Sequence, residues 1–444
     1  IDFPVVGIGA SAGGLKVLQD FFEHLEEDTE MAFVVITHLA PEKTSAMDEL
    51  LAQHTSMEVE QVREKTEIEP NHIYVIPPKK QLLLKGSELL LEDREEGRQA
   101  VIDVFLRSLA KECEKMAIGI ILSGTGSDGT LGLKAIKEYG GVTMVQDPDE
   151  AAYNGMPRSA IDTDLVDFIM PVEQLAQKVM DHKEVLGKVN VPLSEEELTE
   201  NESEALYKIF ETLVSKRGHD FKHYKRSSVL RRLQRRLFVT NNQSIDEYQK
   251  YLEQNPAEIT ELFNDLLISV TNFFRDPKAF EALEEQVIPR LFEDKDPDDP
   301  VRVWVTGCAT GEEVYSLAIL LHEYASTLDY RPQIKIFGTD ISDEALRIAR
   351  RGVYPEAIAA DVSKERLMRY FHKEDTGYRV CQEIREYVLI SNHDVLSDPP
   401  FLNQDLITCR NLLIYFNQNL QNEVLKIVHR SEEHTSELQS PSAI

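Results

Sequence analysis

The stretch at residues 5–14, Val-Val-Gly-Ile-Gly-Ala-Ser-Ala-Gly-Gly, constrains the fold of this chain more than any other. An apolar run ends abruptly in small residues, and helical spacing of large apolar residues begins at Leu15. A strand that turns tightly into a helix is the opening unit of a parallel α/β sheet. Residues 9–13 also match G-x-S-x-G, in which a serine, here Ser11, projects its hydroxyl from a strained strand-to-helix turn. The amide of Ala12 could then donate a hydrogen bond to a developing oxyanion.

Two other interpretations of this turn stay open on the residues alone. Residues 7–12 fit the looser dinucleotide pattern G-x-G-x-x-A, and the stretch could also be a plain structural turn. A dinucleotide site requires an acidic residue at the end of the next strand, where it holds the ribose. The next predicted strand, residues 32–37, is followed instead by His38, which suits acid–base chemistry. His38 therefore favours hydrolysis.

Length and composition exclude several classes of function. The 444 residues allow two or three domains. A net charge of −30 argues against a nucleic-acid surface, because phosphate binding requires clustered positive charge. The four cysteines form no C-x-x-C pair, which indicates reduced thiols and a cytoplasmic protein. No apolar run approaches the ~18 residues of a membrane span, so we expect no membrane insertion, and we predict no metal site.

A second loop with candidate chemistry follows the buried strand predicted at residues 117–122. It is rich in glycine and contains Asp128, and α/β sheets place their chemistry at such strand ends. The alternative is that Asp128 only caps the helix that follows it. Ser11, His38 and Asp128 all follow predicted strands, so we expect them at one rim of the sheet. A nucleophile, a base and an orienting acid within reach of one another are the requirements of nucleophilic acyl transfer.

Four segments of this half, at residues 9–14, 37–41, 124–129 and 155–158, resemble the marker segments of CheB, the chemotaxis protein-glutamate methylesterase family. The resemblance runs from about residue 3 to residue 181. It implies that Ser11 is the nucleophile, His38 the base and Asp128 the residue that orients the base. It also implies that Thr125 provides the second oxyanion-hole amide beside Ala12. The implied reaction is hydrolysis of glutamate methyl esters, with deamidation of glutamines as a related activity.

The middle of the chain reads as a linker followed by helices. Residues 185–204 are acidic and polar, which is typical of a linker, and residues 205–292 show one helical pattern after another. One of these helices carries a basic face formed by Arg231, Arg232, Arg235 and Arg236. These arginines are either a solvated face paired with local acids or a docking surface for an acidic protein partner.

A second chemical constellation begins with a strand at residues 301–306 and the turn Gly-Cys-Ala-Thr-Gly-Glu-Glu. The next strand ends in Asp340, which is placed to accept hydrogen bonds from a ribose diol. Glu312 and Glu313 in the turn would repel a pyrophosphate, so a cofactor with adenosine at one end and a cation at the other fits better. S-adenosyl-L-methionine is such a molecule. The alternative is that the two glutamates are only favourable charges in the first turn of a helix.

This half is similar to CheR, the chemotaxis receptor methyltransferase family, from about residue 205 to residue 430. The matching segments are residues 271–275, 310–316, 338–341 and 409–416. The resemblance implies that Arg275 can position a reacting carboxylate and that the basic helix meets the receptor. It implies contacts with S-adenosyl-L-methionine at Ser269, Thr271, Arg275, Glu313, Asp340, Asp394, Val395, Asn411 and Leu412.

We therefore predict an α/β protein with five parts. These are a doubly wound parallel-sheet methylesterase domain (1–184), an acidic linker (185–204), an all-α domain (205–292), a Rossmann-like methyltransferase domain that binds S-adenosyl-L-methionine (293–430) and a non-family tail (431–444). Because the family continues with closing strands where this tail stands, we expect a truncated methyltransferase sheet.

The predicted function is a bifunctional enzyme that hydrolyses and forms methyl esters on glutamates of methyl-accepting chemotaxis receptors or similar sensory proteins. Further signalling domains are expected outside this chain. The alternative from another class is a scaffold that binds receptors or signalling partners while one or both sites are idle. A nicotinamide oxidoreductase that uses the first turn is the least favoured interpretation, because of His38.

Overall fold

A computed structural model describes residues 1–37, 47–93, 100–186, 197–267, 271–293, 295, 299–374 and 377–432. The chain forms two compact units. The first comprises residues 1–220, 226–270 and 355–360, and the second comprises residues 221–225, 271–354 and 361 onward. These units divide the chain differently from the predicted domains, since the esterase segment and the helices up to residue 266 share the first unit. In the described ranges, no helix is both long and apolar enough to cross a membrane.

The first unit is built on a seven-stranded sheet flanked by helices. Its strands, with those of a small accessory sheet, are β1 Val5–Ala10, β2 Ala32–Thr37, β3 Glu58–Gln61, β4 Lys65–Glu67, β5 His72–Val75, β6 Lys80–Lys85, β7 Glu88–Asp93, β8 Ala117–Ile121, β9 Val142–Gln146 and β10 Phe168–Met170. The helices that accompany them are α1 Gly14–Glu23, α2 Met47–Leu51, α3 Val101–Cys113, α4 Thr130–Glu138, α5 Gly155–Ile161 and α6 Val172–Leu186.

The large sheet has the order β10-β9-β8-β1-β2-β5-β3, and all of its strand pairs are parallel. The small sheet, β4-β7-β6, is antiparallel. Strand β1 is buried along its whole length, with one core cluster on each side of the sheet. At Gly7 an added Cβ would lie 2.6 Å from a methyl group of Leu106, so helix α3 packs directly on the β1 backbone. Because β1 lies between β2 and β8, the loops that follow these three strands meet at one edge.

Among the residues that the structure describes, four further α-helices belong to the first unit, namely α7 Glu200–Arg217, α8 Arg226–Val239, α9 Ile245–Gln254 and α10 Pro256–Leu266. Helix α7 begins with a capping box, in which Thr199 and Glu202 exchange side-chain to backbone hydrogen bonds. The expected all-α region is therefore present. Within the predicted linker, residues 187–196 lie outside the described residues.

The second unit contains a four-stranded parallel sheet and a three-stranded antiparallel one. Its strands are β11 Val301–Thr306, β12 Ile334–Asp340, β13 Val353–Tyr354, β14 Phe371–Glu374, β15 Gly377–Val380, β16 Val388–Asn392 and β17 Leu406–Thr408. Its helices are α11 Pro277–Ala282, α12 Ile288–Glu293, α13 Glu312–Ala325, α14 Asp343–Arg351, α15 Lys364–Tyr370, α16 Gln382–Arg385 and α17 Gln418–Glu432.

The parallel sheet of the second unit has the order β16-β12-β11-β17 and the antiparallel one the order β13-β15-β14. Trp304 on β11 is fully buried, and its indole N–H donates to Thr339 Oγ1 at 2.9 Å. The predicted fold class is confirmed: a parallel α/β sheet, an all-α region and then a second parallel α/β sheet. Of the predicted tail, residues 431 and 432 end helix α17, and residues 433–444 lie outside the described residues.

Candidate active sites

The turn after β1 holds Ser11 in a conformation that the neighbouring glycines make possible. The Ser11 N–H donates to Ser123 O at 3.0 Å, and the Gly14 N–H donates to Ser11 O at 2.9 Å. Gly13 has φ +74°, in the left-handed region, and at Gly14 an added Cβ would lie 2.7 Å from the Cβ of Ala10. The side chain of Ser11 therefore stands on a tight turn between a buried strand and helix α1, where it is partly exposed.

The loop after β8 lies against this serine. At Gly124 an added Cβ would lie 2.9 Å from Ser11 Cβ and 2.1 Å from Met156 Sδ, so only glycine fits there. Thr125 follows directly and is exposed. Among the hydrogen bonds between described residues, neither the Ala12 N–H nor the Thr125 N–H serves as a donor. Two unused backbone donors on adjoining turns beside a serine are what an oxyanion hole requires.

Asp128 is anchored at the N-terminus of helix α3. Its Oδ2 accepts from the Ile102 N–H at 3.0 Å, and its Oδ1 accepts from the Asp103 N–H at 2.9 Å. The positive end of a helix dipole favours a negative charge at this place. The sequence alternative, a cap for the helix that follows Asp128, is wrong, because that helix starts at Thr130 with Gly129 as its cap residue. Asp128 is thus held in one orientation and is partly exposed beside the loop that carries Thr125.

The predicted base, His38, lies outside the described residues. The strand before it is described: in the parallel pairing of β1 with β2, Thr37 is the register partner of Ala10. The structure thus packs the turn of Ser11 and Ala12 against the loop of Thr125, and Asp128 lies three residues further along that loop.

Tyr153 contributes to this edge, and the sequence interpretation did not select it. Its carbonyl accepts from the Gly124 N–H at 2.8 Å, and its own N–H donates to Ser123 Oγ at 3.0 Å. Its side chain is half exposed, and Cδ2 of its ring lies 3.2 Å from where a Cβ on Gly13 would stand. The sequence feature that could have identified Tyr153 is its position, two residues before the CheB-like segment at 155–158.

In the second unit, the turn between β11 and α13 is tightly bound to the end of β12. Gly307, Ala309 and Gly311 all have positive φ, at +63°, +48° and +93°. The Ala309 N–H donates to Asp340 Oδ2 at 2.9 Å, and the Ser342 N–H donates to Asp340 Oδ1 at 2.9 Å. Burial raises the pKa of Asp340, and these backbone N–H groups oppose the rise. Asp340 is therefore a buried carboxylate at the point where two neighbouring strands end.

Glu313, in the first turn of α13, is linked to the end of β17. Its Oε1 accepts from Thr408 Oγ1 at 2.7 Å, and its Oε2 lies 3.5 Å from Arg410 Nη1. Burial raises the pKa of Glu313, while the Thr408 hydroxyl and the charges of Arg410 and Arg275 lower it. Thr408 and Arg410 are residues of this candidate site that the sequence interpretation did not select, although Arg410 lies within the matching segment at 409–416 and Thr408 directly precedes it. A hydrogen bond between the start of helix α13 and the end of strand β17 cannot be predicted from local sequence spacing.

The segment that contains Thr271 and Arg275 packs on the same side chains. Arg410 Nη2 donates to Arg275 O at 2.7 Å and to Asp276 Oδ2 at 2.9 Å. The Phe274 N–H donates to Ser316 Oγ at 3.0 Å, with Phe274 held at φ +50°. Ser269, which the resemblance implied as a cofactor contact, lies outside the described residues.

The remaining predicted contacts lie on two loops of the second unit. Asp394 Oδ1 accepts from the Leu396 N–H at 2.9 Å, and Val395 is buried. Asn411 has φ +56°, which asparagine tolerates better than most residues, and Leu412 follows it. A Cβ on Gly307 would lie 3.3 Å from Leu412, so this loop approaches the glycine turn.

The donor set of the second unit fits S-adenosyl-L-methionine. An ionised carboxylate has about four acceptor sites, so Asp340 can accept from ribose hydroxyls in addition to its backbone donors. Glu313 adds a second carboxylate, 13% exposed, near the glycine turn, where a pyrophosphate would be repelled and a cationic cofactor is tolerated. At Gly307 a side chain would press on Leu412, so the glycine leaves space at the turn.

The basic helix requires a correction. Helix α8 carries Arg231, Arg232, Arg235 and Arg236, and the last three are only 7%, 3% and 5% exposed. Arg235 pairs with Asp167 and Asp265, Arg236 pairs with Glu258, and Arg232 donates to Lys137 O at 2.8 Å. These three side chains therefore do not form a solvent-facing docking surface. Their guanidinium groups form ion pairs and hydrogen bonds inside the first unit.

Comparison with known proteins gives three family matches. The CheB methylesterase family matches residues 6–179, the CheR methyltransferase all-alpha domain matches residues 204–267, and the CheR methyltransferase SAM binding domain matches residues 269–439. The last description identifies S-adenosyl-L-methionine as the cofactor of that domain.

Similar proteins cover different parts of the chain. An uncharacterized 104.1 kDa protein of Rhodobacter capsulatus is 35% identical over 403 residues, which cover 86% of this chain and 42% of that protein. A Leptospira interrogans protein provisionally named protein-glutamate methylesterase/protein-glutamine glutaminase is 31% identical over 40% of this chain and 93% of its own length. The chemotaxis protein methyltransferase of Salmonella typhimurium is 34% identical over 49% of this chain and 76% of its own length.

The chain is also similar to solved structures. The crystal structure of the Thermotoga maritima CheB methylesterase catalytic domain is 26% identical, with a TM-score of 0.39, and the match covers 41% of this chain and 99% of that one. Together, the family matches and relatives assign both halves. The chain belongs to the CheB methylesterase family through its first part and to the CheR methyltransferase family from residue 204 onward.

Proposed function

We propose that the first unit hydrolyses methyl esters of glutamate side chains, with Ser11 as the nucleophile. One observation carries this proposal: the loop of Thr125 packs so closely on Ser11 that a Cβ added at Gly124 would lie only 2.9 Å from Ser11 Cβ. The amides of Ala12 and Thr125, which are unused in the described hydrogen bonds, would then lie on the two turns beside the Ser11 hydroxyl. These amides would stabilise the negative charge that develops on the carbonyl oxygen of the ester.

In the proposed reaction, Ser11 Oγ forms a bond to the ester carbonyl carbon and the bond to the methoxy oxygen breaks. His38 takes the proton of Ser11 and delivers it to the leaving methoxide, so methanol is released. Water then attacks the acyl-serine and regenerates the hydroxyl. Asp128, fixed by the two amides at the start of α3, orients His38. Attack on a glutamine side chain would release ammonia instead, so deamidation belongs to the same proposal.

We also propose that the second unit forms the same esters on receptor glutamates. When bound, S-adenosyl-L-methionine supplies an activated methyl group. Asp340 and Glu313 would hold its adenosine and cationic ends, and Arg275 would orient the receptor carboxylate. No general base is needed, because an ionised carboxylate is already a nucleophile, so the protein needs only to align the reactants and exclude water.

The two units would then set the methylation level of chemotaxis receptors, or of similar sensory proteins, in opposite directions. The chain covers 42% of the length of the Rhodobacter capsulatus protein. Signalling domains outside this chain would add to the two proposed activities. The competing function is a scaffold that binds receptors or signalling partners while one or both of its own catalytic sites are idle.

The esterase proposal is tested by methanol release from a methylated receptor peptide. We expect Ser11→Ala to reduce the rate at least about 10³-fold, because the acyl-enzyme cannot form. Ser87→Ala, which alters an exposed serine at a hairpin, is the matched control and should retain the wild-type rate. Equal rates for wild type and Ser11→Ala would refute the role of Ser11.

The methyltransferase proposal is tested by calorimetric titration with S-adenosyl-L-methionine. Asp340→Ala should abolish binding, whereas Asp329→Ala, at an exposed aspartate beyond α13, should bind like the wild type. A wild-type protein that binds no cofactor would support the scaffold instead.

A further inference from the structure

The arginines of helix α8 are buried against the esterase part of the first unit. Arg235 Nε donates to Gly141 O at 3.1 Å, and its two Nη atoms pair with Asp167 and Asp265. Asp167 precedes strand β10 of the esterase sheet, while Asp265 lies near the end of helix α10. The guanidinium of Arg235 therefore joins two carboxylates from segments that the family matches assign to different domains.

A second cation, Lys137, contacts the same two carboxylates. Lys137 Nζ lies 3.3 Å from Asp167 and 3.7 Å from Asp265. The side chains of Arg235, Asp167 and Asp265 are 0%, 1% and 2% exposed. Burial alone would raise the pKa of Asp167, but the charges of Arg235 and Lys137 and the hydrogen bonds that it accepts keep it below its usual range. Asp167 is therefore ionised beside Arg235 in the folded state.

A second pair on α10 stays within the helices. Arg236 donates to both oxygens of Glu258, at 2.8 and 2.6 Å, and Tyr248 O–H donates to Glu258 Oε1 at 2.5 Å. Glu258 thus resembles Asp265 as a buried acidic partner of an α8 arginine. The side chain of Glu258 bonds only to α8 and α9 in the described contacts. Asp265 also lies 3.6 Å from Arg236 Nη1, but its contacts with Arg235 and Lys137 make it part of the group that reaches the esterase strands.

An apolar contact lies on the same helix. Phe238 of α8 belongs to the core cluster on one side of the esterase sheet. Its ring lies edge-on to the imidazole of His182 on α6, with 3.8 Å between the ring centroids. Both side chains are buried, at 6% and 1% exposure. At this place the apolar core of the esterase sheet therefore continues into α8.

From these contacts we infer that the esterase domain is the built-in partner of helix α8, so that the esterase and the helical region form one cooperative folding unit. Removing one partner from a buried ion pair leaves an uncompensated charge, which is far more costly than losing an exposed pair. The group of Lys137, Asp167, Arg235 and Asp265 is consequently stable only while both segments stay packed. An acidic segment of another protein cannot reach Arg232, Arg235 and Arg236 unless the esterase first separates from α8.

The inference is tested by hydrogen exchange of the full chain with Asp265→Asn. This change neutralises one partner of Arg235 in the helical region. We expect amides of β9 and of residues 165–170, in the esterase domain, to exchange at least tenfold faster than in the wild type. Their exchange depends on the packing of α8, because Arg235 bonds to Gly141 and Asp167.

Glu261→Gln is the matched control, since it neutralises an exposed acidic residue on the same helix. It should leave the exchange of α8 to α10 and of the esterase peptides unchanged. If Asp265→Asn speeds exchange only in residues 226–266, the two regions are independent and the inference is overturned.

A second measurement uses the wild-type protein and requires no variant to fold. Phenylglyoxal modifies arginines that solvent can reach. Arg347, whose side chain is 63% exposed, should react fully while Arg232, Arg235 and Arg236 stay unmodified. Modification of Arg235 as fast as Arg347 would show that α8 is free, and the inference would fail.

Discussion

Gly124 is the residue on which the geometry of the esterase site depends most closely. It separates Ser123, whose hydroxyl donates to Ala12 O at 2.9 Å, from Thr125 with its unused amide. A side chain at this position would lie closer to Met156 and Ser11 than van der Waals contact allows. The site therefore requires glycine for space, and the serine and the second oxyanion donor lie together for that reason.

Gly124→Ala should reduce the rate of ester hydrolysis by roughly 10²-fold or more, because the new methyl group displaces either Ser11 or the Thr125 loop from its place. Steady-state methanol release, corrected for the folded fraction, measures the effect. Gly86→Ala is the control: it puts the same group at a hairpin glycine with nothing within 4 Å, so only its φ of +58° is strained. Wild-type kcat in Gly124→Ala would show that the Thr125 amide is not needed.

At the scale of elements, the packing of helix α6 on helix α8 contains a titratable group. His182 is buried, and neither of its ring nitrogens has a hydrogen-bond partner among the described residues. Burial, together with the charge of Lys178, lowers the pKa of His182 to about 3. The imidazole is therefore neutral in the folded protein at physiological pH, and it contributes as an apolar ring against Phe238.

This arrangement predicts loss of stability in mild acid. The folded protein binds the His182 proton less readily than the unfolded chain, whose histidine has an ordinary pKa near 6.5. The contribution of the neutral His182 imidazole to the free energy of unfolding is complete above pH 6.5 and is lost as the pH falls toward 3. Between pH 7 and pH 5.5, the free energy of unfolding should fall by about 1 kcal/mol on this account.

Urea denaturation followed by circular dichroism at these two pH values provides the measurement. His182→Leu should remove the fall in stability, while His24→Leu, at an exposed histidine, should retain it. An unchanged pH dependence in His182→Leu would show that this imidazole is solvated and titrates normally.

At the scale of the whole molecule, each unit has its own sheet and its own candidate site. The parallel sheet of the first unit carries Ser11, and that of the second carries Asp340. Separate cores predict separate unfolding transitions, and a ligand stabilises only the unit that binds it.

Calorimetry of the full chain with S-adenosylhomocysteine tests this division. At a ligand concentration 100 times the Kd, the second unit should gain about 2.7 kcal/mol, so one of two transitions moves to higher temperature. The transition of the first unit should stay in place, and Asp340→Ala should abolish the shift. An equal rise of both transitions would contradict the separation of the two cores.

Local sequence patterns were sufficient to predict much of this fold. The strand, turn and helix around Ser11, and those around Glu313 and Asp340, follow from short-range rules: runs of apolar residues form strands, and glycines permit turns that other residues cannot adopt. Because parallel strands end at one edge, the same rules place Ser11 and Asp128 on a common rim. The sheet order agrees with that expectation.

Contacts between distant residues required the folded chain. Asp128 caps a helix that begins 27 residues before it, a partner that its own neighbourhood does not indicate. Arg235 and Asp167 are 68 residues apart in the chain, so the periodicity of α8 showed a basic face but not whether that face meets solvent or protein. Amphipathic spacing is a property of one helix, whereas burial of its charges depends on the surface that packs against it, and only long-range packing provides that surface.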